Sequence, residues 1–143
     1  MKIKVTGSDA EKQQAFDVRT KVFVDEQNVP PEEELDAFDE DQMTIHFIGH
    51  ENDQLIAASR LRFVDTYGKL ERICVLKEHR GNAHGTQLIG AMEARIQREG
   101  LTKSKLNAQT HAVDFYKRLG YEVVSGEFLD AGIPHVTMVK ELN

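Results

Sequence analysis

Residues 70–100 read LERICVLKEHRGNAHGTQLIGAMEARIQREG, and the order of parts in this stretch decides the fold. An apolar run from Leu70 to Leu76 has the character of a strand. It breaks into a charged turn, then into Arg80-Gly81-Asn82-Ala83-His84-Gly85, and opens directly into an amphipathic helix. In that helix Leu88, Ile89, Met92 and Ile96 share one stripe, Arg95 and Arg98 lie near the end where cations complement the dipole, and Gly100 stops it. Strand, glycine turn and helix start in that order make a cradle for an anion. The first helical turn offers free amides and a partial positive charge of roughly half an electron, a combination suited to pyrophosphate. The alternative is a plain strand-to-helix connection whose glycines merely turn the chain.

The flanking sequence supplies the remaining elements. Ile3 to Val5 suits a short strand, and Ser8 with Glu11 forms a capping box that opens a helix. At helical spacing Arg19, Val22, Phe23 and Glu26 share one face of it. Thr44 to His50 and Leu55 to Val64 are strands joined through the polar turn at Asn52 and Asp53, a hairpin. After the central helix, Lys103 to Ala108 reads as a strand. A short helix then carries Ala112, Phe115, Tyr116 and Leu119 on one side and closes at Gly120. The tail adds two strands around Ala131 and Gly132. With no repeat, linker or low-complexity tract, residues 1–143 are expected to form one α+β domain with a mostly antiparallel sheet.

Composition narrows the class. Forty per cent apolar and 29% charged residues describe an ordinary soluble globule, long enough to bury about 70% of its unfolded surface. One cysteine, Cys74, permits no intramolecular disulfide, which fits a reducing cytoplasm. The first residues lack a signal-peptide core, and no run approaches the ~20 apolar residues of a membrane span. The net charge of -6 is concentrated: residues 25–41, DEQNVPPEEELDAFDED, hold nine acids and no Lys or Arg. The rest of the chain is only mildly basic and lacks the stripe a nucleic-acid binder needs. Starting at Pro30 and Pro31, the acidic segment reads either as a solvated loop or as a lip that attracts a cationic partner.

The turn is not a nucleotide P-loop, which requires GxxxxGK followed by Ser or Thr; Gly81 and Gly85 are four apart and no lysine follows. No GxGxxG is present either. The histidines do not suggest a metal: His46 and His50 on a strand would lie ~13 Å apart, and His79 and His84 have no carboxylate or cysteine beside them.

Two motifs together point further. Arg80-x-x-Ala83-x-Gly85 after an apolar strand, followed about thirty residues later by AVDFYKRLGYE with Ala112, Tyr116 and Gly120-Tyr121, resembles the GNAT superfamily of N-acetyltransferases. The segments VRTKVFVDEQNVP, ERICVLKEHRG, LNAQTHAVDFYKRLGY and GIPHVTM resemble its small bacterial ElaA-like branch. The resemblance implies a central, mostly antiparallel mixed sheet of about seven strands flanked by helices. It also implies acetyl-coenzyme A as cosubstrate, with no metal. Main-chain groups of Ile73, Cys74 and Val75 would hold the pantetheine arm and thioester carbonyl, on a strand that splays from its neighbour. Arg80, Gly81, Asn82, Ala83, His84, Gly85 and Thr86 would ring the pyrophosphate, and Asn107 on the neighbouring strand would also face the cofactor. Two positions depart from the pattern. Ala83 replaces the usual first glycine, where a positive φ would cost ~1 to 2 kcal/mol, and Gln109 stands where many members have Asn.

The same resemblance makes Tyr116 the acid that protonates the departing thiolate. Without it, Tyr116 would read as a half-buried tyrosine capping a helix face. The acceptor amine, with a pKa of ~10.4, needs a base or water chain, since presenting it neutral at pH 7 costs ~4 to 5 kcal/mol. Glu71, taken to share the strand face of Ile73 and Val75, His135 in GIPH and Glu26 are the candidates. Glu71 could equally be an ion-pair partner of Arg60, Arg62 or Arg72. Cys74 reads as an inert core residue, or as a thiol near the thioester open to oxidation or to joining coenzyme A. The reading is therefore acetyl transfer to a small-molecule or peptide amine, cationic in character, by direct attack in a ternary complex; a homodimer stays open. A non-catalytic acyl-coenzyme A sensor of the same fold is the alternative, disfavoured because a pure binder has no use for a thiol acid. VRTKVFVDEQ also resembles the helix of acyl-homoserine-lactone synthases, although the chain is short for that.

Overall fold

A computed structural model describes residues 1–143. Eight strands form one sheet in the order β1-β2-β3-β4-β5-β8-β6, with β7 paired to β8. They are β1 (Lys2–Val5), β2 (Ile45–Glu51), β3 (Gln54–Val64), β4 (Tyr67–Val75), β5 (Lys103–Gln109), β6 (Glu122–Val123), β7 (Phe128–Asp130) and β8 (Ile133–Glu141). Every pairing is antiparallel except β4 with β5. The expected mostly antiparallel mixed sheet is therefore what forms, with β6 as the one strand the sequence reading left out. Asn52 and Asp53, both at positive φ, turn the β2–β3 hairpin as their residue types allow.

Helices cover both faces. On one side α1 (Asp9–Arg19) buries Ala15 and Val18 against Ile48, Ala58 and Cys74. On the other, α3 (His84–Arg98) presses Leu88, Ile89, Met92 and Ile96 onto Phe47, Leu61, Leu70, Leu106 and Met138. Each of those four helix residues is 1% exposed or less, and burying each is worth about 1.5–3 kcal/mol. The close seat depends on Gly68 in β4, where a Cβ would stand 2.4 Å from the Ile96 side chain. Behind α3, Ser104 Oγ donates to the Tyr121 hydroxyl at 2.7 Å, which donates to Glu93 at 2.7 Å, and Lys140 reaches the same carboxylate at 3.2 Å.

Two sequence expectations change near the N-terminus. Ser8 caps α1 through the Glu11 amide at 3.2 Å, but Glu11 returns its bond to Gly7 (2.7 Å) rather than to Ser8, one residue beyond a true capping box. The helix also does not continue in α geometry: Thr20–Glu26 is a π-helix, with the Gln27 amide bonded to the Val22 carbonyl. Its wider turn breaks the 3.6-residue stripe. Arg19 and Val22 are buried, Phe23 is half-buried and Glu26 is exposed, so the four do not share one face.

The acidic segment is not a loop. Pro31 opens α2 (Pro31–Glu34), and a 3-10 turn follows over Ala37–Glu40 with Asp36 as its cap. Glu34 is 2% and Asp39 1% exposed, because Arg19 and Arg60, themselves buried, stand beneath them. Arg19 bonds Glu34 at 2.7 Å and Asp39 at 2.6 Å, while Arg60 bonds Asp39 at 3.0 Å and Asp36 at 2.7 Å. Only part of the acidic run, including Glu32, Glu33, Glu40 and Asp41, is left to face solvent.

Candidate active site

The site begins where two strands part. β4 and β5 pair in parallel at only three positions, Gly68 with Ser104, Lys69 with Lys105 and Leu70 with Leu106. Beyond them β4 runs on to Val75 and β5 to Gln109 without pairing, and the wedge between them opens into a cavity of about 530 Å³. Glu71, Ile73, Asn107, Tyr116 and His135 all border it, so the structure brings together the three catalytic candidates of the predicted site.

At the opening, β4 carries a bulge. Cys74 pairs with Ala58 but Glu71 pairs with Arg60, so Arg72 and Ile73 stand opposite Ser59 alone. Arg72 adopts φ 56, a left-handed conformation that a non-glycine residue holds only when its surroundings enforce it. The bulge reverses the alternation of side chains. Leu70, Ile73 and Val75 pack with the α3 side of the core, and Cys74 with the α1 side. Glu71 therefore does not share the face of Ile73 and Val75, contrary to the parity expected from an unbroken strand. It turns to the arginine cluster, accepting from Arg60 at 2.7 Å and Arg62 at 2.8 Å, with Lys69 at 3.2 Å. Though burial alone would raise it, these cations hold its carboxyl down at about 2. The ion-pair reading of Glu71 is the one the structure shows.

His135 is differently placed. On β8 opposite Gln109, it stacks on Phe128 and donates Nδ1–H to the Ile133 carbonyl at 2.6 Å. In the neutral ring that bond leaves Nε2 as the acceptor. Glu26 does not border the cavity; it is held by Arg80 in a two-pronged pair at 2.6 and 2.7 Å, which lowers its carboxyl pKa.

Tyr116 sits on α4 (Val113–Arg118) with its ring edge-on to Phe115 and Tyr121. Burial pushes its phenol up to about 12, and no protein group bonds its hydroxyl. Asn107 is fixed through its Oδ1, which accepts from Thr137 at 2.9 Å. Cys74 is 5% exposed with Sγ 3.6 Å from the Ala58 carbonyl, and burial raises its thiol to about 12. Its side chain faces away from the cavity, which removes the sequence-based expectation of a thiol near the thioester.

The turn before α3 is exposed from Gly81 to Ala83, and no side chain caps the helix. Ala83 takes φ 61 there, so the left-handed position that usually favours glycine is filled by alanine. The amides of the first turn, including those of His84, Gly85 and Thr86, are thus free of a side-chain cap. The His84 side chain folds beneath the turn, 5% exposed, with Nε2 3.0 Å from Glu51 but without hydrogen-bond alignment. Arg80 donates Nε–H to the Val75 carbonyl at 2.9 Å, tying the turn to the end of β4.

Several lining residues had no site role in the sequence reading beyond Gln109's place in the family pattern. Gln109 donates to Gln27 at 2.9 Å, and its carbonyl oxygen is 2.6 Å from His111 Nε2, forming a polar chain along one wall. Asp130 and Ala131 project from the β7–β8 turn, which the tail's turn signal located without indicating that it borders a site. Arg72 at the bulge and Lys69, three residues before it on β4, complete this side of the lining. No three His, Cys, Asp or Glu side chains converge as metal ligands.

Residues 7–142 match the family described as acetyltransferase (GNAT) domain. The chain belongs to the GNAT family. It is 46% identical to the uncharacterized N-acetyltransferase YjcF of Bacillus subtilis (strain 168) over 99% of this chain and 100% of that one. The crystal structure of Escherichia coli ElaA superposes with a TM-score of 0.87 at 27% identity, covering 99% of this chain and all of its own. That of an acyl-CoA N-acyltransferase from Pseudomonas aeruginosa gives 0.87 at 28% identity, covering 98% and 99%. This GNAT protein is accordingly an acyltransferase. No helix is long and apolar enough to cross a membrane.

Proposed function

We propose that the protein transfers an acetyl group from acetyl-coenzyme A to a primary amine, by direct attack within a ternary complex. The observation that carries this reading is the wedge. β4 and β5 stop pairing with each other after Leu70 and Leu106, Ile73 and Asn107 border the cavity beyond, Tyr116 and His135 both stand in it, and an uncapped helix N-terminus follows the end of β4. The pyrophosphate would lie on the amides from Arg80 to Thr86, and the pantetheine arm beside Ile73, Cys74 and Val75. Asn107 would complete the opposite edge.

The amine arrives protonated and loses its proton to His135 Nε2, directly or through water. Its lone pair then forms the C–N bond at the thioester carbonyl, and collapse of the adduct breaks the C–S bond. Tyr116 supplies the proton to the leaving sulfur. The raised phenol pKa keeps that proton in place at neutral pH, and the phenolate recovers one from solvent or from the product. Glu71, with its carboxyl held down at about 2, is too weak a base to compete. Exposed Glu32, Glu33 and Asp130 at the cavity mouth would draw in a cationic acceptor.

Thiol release from acetyl-coenzyme A across a panel of amines tests the reading. Turnover with at least one amine is expected, and Tyr116→Phe should then lower kcat by about 10²-fold, near 3 kcal/mol of barrier, with KM for acetyl-coenzyme A unchanged. Binding of acetyl-coenzyme A without thiol release from any amine would favour a sensor instead.

A further inference from the structure

The buried and half-buried charges gathered around Arg60 pair unequally. Arg19, Arg60, Arg62, Lys69 and Arg72 meet only Glu34, Asp36, Asp39 and Glu71, five cations against four carboxylates. Four of the cations hold direct carboxylate bonds of 3.2 Å or less. Arg72 is the exception. Its strongest bonds go to main chain, to the Glu34 carbonyl at 3.0 and 3.2 Å and the Glu33 carbonyl at 3.3 Å, and its nearest carboxylate is Asp36 at 3.3 Å. These use Nε and Nη2. Nη1 has no partner in the protein and is not sealed from solvent.

The unpaired edge of the cluster therefore lies on one residue, and that residue borders the cavity. Arg72 and Lys69, each with a side chain 24% exposed, both border it. Arg72 is also fixed: its backbone is held at φ 56 by the bulge and its guanidinium by the α2 carbonyls, so its free edge is pre-oriented. Arg72 and Ile73, the latter at the proposed thioester position, border the same cavity. Burial, and after it the nearby Arg60 and Arg19, lower the pKa of Arg72 while Glu34 and Asp36 oppose the shift.

We propose that the acceptor is an amino acid in the broad chemical sense, an amine with a carboxylate a few bonds away, and that Arg72 Nη1, assisted by Lys69, receives the carboxylate. This rests on the acyl-transfer reading above. Carboxylate on a fixed guanidinium edge is a charge-assisted contact with directional preference. It places the neighbouring amine beside β4, between the base and the acyl group. The acidic mouth and basic floor then act on opposite ends of one dipolar molecule.

The test uses the full chain with acetyl-coenzyme A and matched acceptor sets: a free amino acid, its carboxamide and the amine lacking the carboxyl group. Rates are referred to the unprotonated amine so that differing basicity does not enter. Expected is a preference of about tenfold or more in kcat/KM for the carboxylate, carried mainly by KM. Arg72→Gln should bring the ratio close to one, and Arg72→Lys should keep part of it. Because Arg72 also holds α2, the wild-type ratio alone is decisive if the variants melt early. Turnover of amines with a ratio of one or below in the wild-type protein overturns the carboxylate site and leaves acyl transfer intact. A ratio that survives Arg72→Gln in a folded variant overturns it too. Absence of thiol release from every amine overturns both readings.

Discussion

Two sets of guanidinium–carboxylate contacts meet β4, and they differ in nearly everything except chemistry. At its C-terminal end Arg80 grips Glu26 with two short bonds, yet the side chains are 40% and 35% exposed. At the bulge, Arg19 and Arg60 hold Glu34, Asp39 and Glu71 with side chains 12% exposed or less. Bond length does not separate the two; water does. An exposed pair exchanges protein for solvent at little cost, so it can release Arg80 to another anion. A buried cluster lacks that freedom, since removing one member strands its partners without water. The first arrangement suits a site that must open to a ligand, the second a floor that must not move.

The largest expected effect lies in the floor. Arg19→Met keeps much of the side chain's bulk and leaves Glu34 and Asp39 short of their partner, at a cost of about 3–5 kcal/mol in urea unfolding. A cost below about 1 kcal/mol would erase the distinction between the two regions. Acid should attack the same floor. Glu71 is held near 2 against an ordinary 4.5, so the folded state binds fewer protons than the unfolded chain. Its contribution, on the order of 3 kcal/mol, is present above pH 4.5 and is lost as pH falls from 4.5 toward 2. Asp39 is lowered in the same sense. Melting temperatures measured from pH 6 to pH 3 should fall steeply below about 4.5, and a flat profile would contradict the assignment.

At the turn, binding should respond before folding does. Gly85→Glu places bulk and negative charge in the first turn of α3, while the nearest obstacle to a new Cβ is Phe115 at 3.8 Å, an ordinary contact. Coenzyme A affinity should drop about 30-fold or more in calorimetric titration, near 2 kcal/mol, with the melting point little changed. Smallest of all is Glu26→Gln. Stability should move by less than about 1 kcal/mol, and coenzyme A should bind slightly tighter because Arg80 is released. Weaker binding would mean that the pair holds the turn in shape.

The sequence disclosed the turn because its signals are local. Gly81, Ala83 and Gly85 lie within five residues of one another and just ahead of the apolar stripe they introduce. The same holds for the Asn52-Asp53 hairpin and for Gly100. The floor was hidden because its partners are distant in sequence: Arg60 stands 24 residues from Asp36, and Arg72 38 residues from Glu34. An acid run looks solvated when its arginines are out of view. The bulge was illegible for another reason, since Arg72 is not a residue type that announces positive φ. That one residue decides which face Glu71 occupies, so the error about Glu71 followed from treating β4 as regular. Tyr116 and His135 were legible as candidates through their motifs, but their shared cavity depends on where β5 stops pairing with β4.

The π-helical turn at Thr20–Glu26 is equivalent to one residue added to an α-helix without lengthening it in proportion. Deleting a single residue there would let the hydrogen bonds relax to ordinary α spacing, so the helix itself has a ready way to absorb the loss. Because the extra residue is taken up within the wide turn, the chain beyond would keep its direction, and only the side chains of the turn itself would be redistributed around the axis. Phe23, Gln27 and Val29 line the cavity from this segment, and α2 follows directly after it. Chain length here is thus a setting for the wall of the cavity, and relatives that differ by one residue in this turn would keep the helix and present a different wall.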